Sequence, residues 1–133
     1  MTAYLSRWGT MLAVILAITA SGCGKSNRPV LVPARGEVSL NGDPLTAGSI
    51  IFFPQESATY KDDSPSSLLQ VDGSFTMKTF PFGDGVAPGK YKVCLNPGLA
   101  NSIKFPDYGL PQKTPWEVEI PDSGDENILL EVK

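Results

Sequence analysis

The chain has 133 residues, enough for one domain. It carries 13 glycines, 12 prolines, 11 basic and 14 acidic residues, and no histidine. That composition favours many turns over long helices. It lacks the basic surface that nucleic-acid binding needs, and the commonest general base and metal ligand are missing.

The first ten residues hold one positive charge, Arg7, and no negative one. Met11 to Ala20 is an apolar stretch of about ten residues, too short for the ~20 that span a bilayer but suited to a signal-peptide core. Ala20-Ser21-Gly22-Cys23 follows and resembles a lipobox, where a diacylglycerol is attached to the cysteine and the chain is cut before it. Small Ser21 and Gly22 suit such a peptidase, although leucine is commoner where Ala20 stands. The other reading is an uncleaved anchor or an ordinary signal peptide with an incidental cysteine. The expected organisation is a signal peptide over 1–22, a lipidated tether over 23–34 beginning at Cys23, and a β domain over 35–133. Acyl chains on Cys23 would hold the protein on a cell membrane, inner or outer, facing the periplasm or the exterior, because each buried methylene contributes ~0.8 kcal/mol. Gly24 rather than aspartate follows the cysteine, which the best-known sorting scheme lets pass to the outer membrane. The mature chain of 111 residues would carry ten basic against fourteen acidic side chains. With Cys23 acylated, Cys94 is an unpaired thiol and the domain rests on its hydrophobic core.

Gly24 to Ala34 is polar and contains Pro29 and Pro33; as a coil it reaches roughly 18 Å. Val30-Leu31-Val32 could dock on a sheet edge. Strand patterning starts at Arg35, with Val38 and Leu40 alternating with Glu37 and Ser39. Asn41-Gly42-Asp43-Pro44 is a turn. Ser49–Phe53 is an apolar run expected to be buried on both faces or to form a covered edge, followed by a polar loop over 55–66. Ser67–Val71, Asp72-Gly73 and Ser74–Thr79 form a hairpin, with Phe75 and Met77 on one face. A glycine-rich loop precedes the strand Lys90–Asn96, which puts Tyr91, Val93 and Leu95 inward and Lys92 and Cys94 outward. After a long connection from Pro97 to Pro115, Trp116, Val118 and Ile120 alternate with Glu117 and Glu119. A turn over 121–125 leads to Ile128, Leu130 and Val132. These are seven strands at spacings typical of a sandwich, with no helical period after the leader.

Several pieces of residues 35–133 together resemble the transthyretin-like sandwiches grouped with carboxypeptidase regulatory-like domains, especially those of short bacterial lipoproteins. They are Gly36-Glu37-Val38, Asn41 to Leu45, Gly48 to Phe52 ending at Pro54, Asp72 to Phe75, Pro88 to Val93, Pro106-Asp107-Tyr108 and Thr114-Pro115-Trp116. The resemblance implies an all-β, seven-stranded Ig-like or transthyretin-like sandwich without catalytic residues and without a single shared ligand. It implies an envelope module rather than an enzyme.

The residues point the same way. Asp62-Asp63 and Asp125-Glu126 are adjacent carboxylates on loops, not a held acid/base pair. Cys94 lies two positions from Lys92 but has no other activating neighbour, so a partly covered structural thiol is expected. Asp122, Asp125 and Glu126 offer hard oxygens for calcium without the spacing of an EF-hand loop, and a solvated acidic turn is the favoured reading. No cofactor and no metal is expected. Tyr60, Phe80, Phe82, Phe105 and Tyr108 could stack on a glycan or plug the sandwich ends. The expected partners are the bilayer through Cys23 and another envelope protein, or in the alternative a carbohydrate; no nucleic acid is expected.

If the seven strands reverse in turn, loops 41–47, 72–73 and 97–115 share one end. Loops 55–66, 80–89 and 121–126 share the other with the tether. A partner would then dock on 97–115, with 41–47 beside it, unless that segment only packs its aromatics across a sheet edge.

Overall fold

The computed structural model describes residues 28–133, so the leader, Cys23 and the first tether residues lie outside the described region. The described chain forms an all-β sandwich of two sheets. One sheet is built on β1 (Ala34–Leu40), which pairs in parallel with β10 (Asp125–Val132) on one side. On its other side β1 pairs antiparallel with β2 (Asp43–Pro44) and β5 (Ser74–Thr76). The second sheet runs β7 (Gly83–Asp84), β6 (Lys78–Thr79), β4 (Ser66–Leu68), β3 (Ser49–Pro54), β8 (Gly89–Leu95), β9 (Glu117–Ile120), antiparallel throughout.

Period-two alternation explains the core. Val38, Ile50, Phe52, Phe75, Tyr91, Val93, Leu95, Ile120, Ile128, Leu130 and Val132 are buried between the sheets. Phe52 packs edge-on against Phe75 (ring centroids 6.3 Å apart) and tilted against Tyr91 (5.6 Å). The run at Ser49–Phe53 is more ordinary than its composition suggests: Ile50 and Phe52 are buried, while Ile51 and Phe53 on the outer face are half-buried. Val118 is likewise half-buried against the core.

Three features depart from the seven-strand reading. The expected strand 74–79 is two strands, because the chain changes sheets at Met77. Phe75 pairs with Gly36 in the first sheet, whereas Lys78 pairs with Ser66 in the second. Met77 keeps its backbone satisfied by donating to the Ala34 carbonyl (2.8 Å) and accepting from Gly85 N–H (2.8 Å). Two-residue strands β2 and β7 add short pairings too local to show a period. The ordered β structure also begins before residue 35. Val32 and Val86 exchange both backbone hydrogen bonds (2.8 and 2.9 Å), and Ala34 is buried.

β1 and β10 run parallel, as the first and last of an odd number of alternating strands must. The turn at Asn41-Gly42, the turn at Asp72-Gly73, and the 97–115 segment therefore lie at one end. The tether, 55–65, 80–88 and 121–124 lie at the other.

Candidate interaction site at the two ends of the sandwich

The 97–115 segment is more structured than its composition suggests. Pro97 has no N–H to satisfy and takes the first helical position, and the Asn96 side chain accepts from Gly98 N–H (2.9 Å). These two residues start α1 (Pro97–Ser102), a helix that the absence of a longer apolar period conceals. It ends with Lys104 in the left-handed region at φ 68°. Phe105 N–H reaches back to the Ala100 carbonyl (2.9 Å) and Lys104 N–H to that of Asn101 (3.1 Å), which closes the helix as a Schellman motif. Glycine is usual at that position, and a side chain there costs about 1–2 kcal/mol. A tighter helical turn follows over Pro106–Gly109.

The aromatics of this segment form a row of edge-to-face rings. Phe105 meets Tyr108 at 5.9 Å, and Tyr108 meets Trp116 at 4.6 Å. Trp116 Nε1–H donates to the Glu131 carbonyl (3.1 Å), and the Tyr108 hydroxyl accepts from Lys133 N–H (3.1 Å). β10 pairs with β1 alone among the described residues, so these groups seal backbone positions along its free edge. The rings are thus edge packing, and Tyr108 is buried. The charged side chains of the segment, Lys104, Asp107 and Lys113, are exposed, beside Leu110 and several prolines. An open groove of about 400 Å³ is bordered by Lys104, Lys113 and Lys133, with Phe105, Tyr108 and Asp107 in its wall.

The tether end has the opposite sign. A groove of about 610 Å³ is lined by Arg28, Val30, Tyr60, Asp62, Pro88 and Asp122. Tyr60 donates its hydroxyl to Asp63 (2.6 Å) and lies edge-on to Phe82 at 5.9 Å. That hydrogen bond to a carboxylate holds the phenol proton, and with burial and the neighbouring aspartates it pushes the Tyr60 pKa up to about 12. Phe80 is 83% exposed.

The remaining candidates separate. Glu126 pairs with Arg35, and Asp125 accepts from Asn127 N–H (2.9 Å). Among the described residues no three histidine, cysteine or acidic side chains stand together as a metal site. Asp62 and Asp63 diverge, one into the groove and the other to Tyr60. Cys94 is a correction: it points to the outer face, across from Ile51, yet is fully buried rather than partly covered. Burial pushes its pKa up to about 11 despite the lowering effect of Lys92, whose ammonium pairs with Glu117 (3.2 Å). Tyr91, pushed up to about 12 by burial, donates its hydroxyl to the Ala87 carbonyl. Cys23 lies outside the described residues. The lysine groove went unread because its three cations are 9 and 20 residues apart in sequence; the Asn96-Pro97 helix start was the one local signal available.

Among the described residues no helix is long and apolar enough to cross a membrane. No family model matches the chain, and no curated protein is significantly similar to it.

Proposed function

We propose that this protein is a non-enzymatic lipoprotein of the bacterial cell envelope, built on a transthyretin-like sandwich and held on a membrane by acylated Cys23. It presents the end bearing residues 97–115 to another envelope protein. The observation that carries this reading is the entry of the tether at the end opposite that segment, with Val32 bridged to Val86. A chain anchored through Cys23 then turns its acidic end to the bilayer and its lysine-bordered end away from it. The non-enzymatic part draws support from the lack of histidine, from a buried thiol that burial keeps protonated, and from carboxylates dispersed over strands and turns.

Two measurements test it. Cys23→Ser is expected to abolish metabolic labelling with fatty acid and to release the chain or leave it uncleaved; continued palmitate uptake by the variant would refute the anchor. Photoreactive residues at Lys104 and Lys113 are expected to form adducts in intact cells. Adducts confined to Asp62 and Asp125 would assign the exposed end backwards. Carbohydrate binding is the second reading, and Phe80 is the observation that favours it, because Phe105 and Tyr108 are engaged in packing. Glycan-array binding that Phe80→Ala removes would put it first.

A further inference from the structure

Nine arginines and lysines fall within the described residues, and four of them hold an ion pair. Of the five without a carboxylate within 4.0 Å, three border the same groove: Lys104, Lys113 and Lys133. Asp107 is the sole acidic side chain in its lining, so the lining side chains are net positive, three ammonium groups to one carboxylate, in a chain whose formal net charge is −3. The backbone of each lysine is pinned. Lys104 and Phe105 close α1, Lys113 N–H donates to the Leu110 carbonyl (3.0 Å), and Lys133 N–H donates to Tyr108.

We propose that this groove docks an extended acidic polypeptide segment of the partner; the proposal rests on the far-end docking reading above and names the partner's chemistry. The groove is open to solvent rather than enclosed, which suits a chain segment better than a small molecule that must be surrounded. Its wall of Phe105, Pro106 and Pro115 offers apolar contact between the charges. Three flexible ammonium groups act as point charges that tolerate variable carboxylate spacing; they lack the rigid fork with which arginine selects planar anions. The two ends of the sandwich also sort such a partner. Asp62 and Asp122 repel an acidic segment at the tether end, and the far end attracts it.

The test uses the full chain in neutral-detergent micelles and a fluorescein-labelled octaglutamate peptide, read by anisotropy. Saturable binding is expected, weakening at least tenfold between roughly 50 and 300 mM salt as the Debye length shortens. Lys104→Gln, Lys113→Gln and Lys133→Gln combined should weaken binding at least tenfold. Lys61→Gln, Lys78→Gln and Lys90→Gln combined, with the same change of net charge, should weaken it less than twofold. Equal losses in the two triple variants would overturn the site, leaving only long-range attraction. Amide chemical shifts of the unmutated chain give an answer that does not depend on how the variants fold. Changes on adding the peptide are expected at residues 104, 105, 107, 108, 113 and 133, and changes centred on 60–62 and 122 would refute the proposal. Binding of a heparin-type hexasaccharide without binding of the peptide would also overturn the acidic-segment assignment. If the peptide fails while crosslinks at Lys104 and Lys113 persist in cells, this inference falls and far-end docking stands. If the peptide binds while crosslinks form only at Asp62 and Asp125, the docking reading falls instead.

Discussion

Replacing Gly89 by alanine tests the packing of the 55–65 loop against the start of β8. Gly89 has φ 138°, which L side chains rarely adopt, and an added Cβ would overlap the Ala58 Cα and lie 2.7 Å from the Ser57 carbonyl oxygen. Those are backbone atoms, so the loop itself must move. Among the hydrogen bonds that hold it there are Thr59 N–H to the Pro88 carbonyl (3.0 Å) and Lys90 N–H to Ser57 Oγ (3.1 Å). Strain of about 1–2 kcal/mol, plus about 1 kcal/mol for each weakened hydrogen bond, gives a loss of about 3–4 kcal/mol. Gly42→Ala is the control. Its φ is also positive, at 84°, but nothing lies within 4 Å of the added Cβ, so strain alone should apply, about 1 kcal/mol. The difference of about 2–3 kcal/mol corresponds to roughly 10–20 °C in melting temperature for a domain of this size. Thermal unfolding followed by far-ultraviolet circular dichroism, with urea titration as a check, measures both variants. Equal shifts for Gly89→Ala and Gly42→Ala would show that Ser57 and Ala58 do not press on Gly89 as described.

Phe52→Ala should cost about 3–5 kcal/mol by urea unfolding, since its ring is fully buried between Phe75 and Tyr91, whereas exposed Glu119→Ala should shift stability by less than ~0.5 kcal/mol. Trp116→Phe should cost about 0.5–1.5 kcal/mol and speed amide hydrogen exchange over 129–133, because the Glu131 carbonyl loses its donor and the β10 edge opens. Unchanged exchange would mean that Trp116 does not seal the edge. Cys94 and Tyr91 both hold their protons more tightly folded than unfolded, so the stability they contribute is complete below pH ~9 and falls as pH rises toward 11 and 12. Cys94→Ala should therefore flatten the alkaline limb of a stability–pH curve. The same thiol should resist alkylation in the native protein and react once the chain is unfolded, which mass spectrometry reads directly.

Much of the sandwich was legible because alternation and turn chemistry are local. Val38, Tyr91, Val93, Ile128 and Leu130 alternate with neighbours on the outer face and are buried as that period requires. Asn41-Gly42 takes two positive φ angles, and the Asp72 carboxylate accepts from Ser74 N–H (2.9 Å), as turns at those residues should. The Ser74 hydrogen bonds also hold the Asp72 pKa below the usual carboxylate range. The sorting of loops between the two ends followed from strand parity, and splitting one strand and adding two short ones left it intact. Tertiary structure decided what depends on partners distant in sequence. Met77 divides its strand because Ala34 and Gly85, on different segments, take its two backbone groups. Cys94 is buried although its alternation points outward, since period two assigns a face and says nothing of what covers it. Tyr108 read as a loop aromatic and Trp116 as a strand residue; the hydrogen bonds of Trp116 to the Glu131 carbonyl and of Tyr108 to the Lys133 N–H, 15 and 25 residues away, exist only once β10 is in place. Lys104, Lys113 and Lys133 became one surface only when α1, the segment before β9 and the end of β10 met at the same end of the sandwich. Period and turn residues are properties of a few neighbouring side chains, whereas a groove or a sealed edge exists only once remote segments are brought into contact.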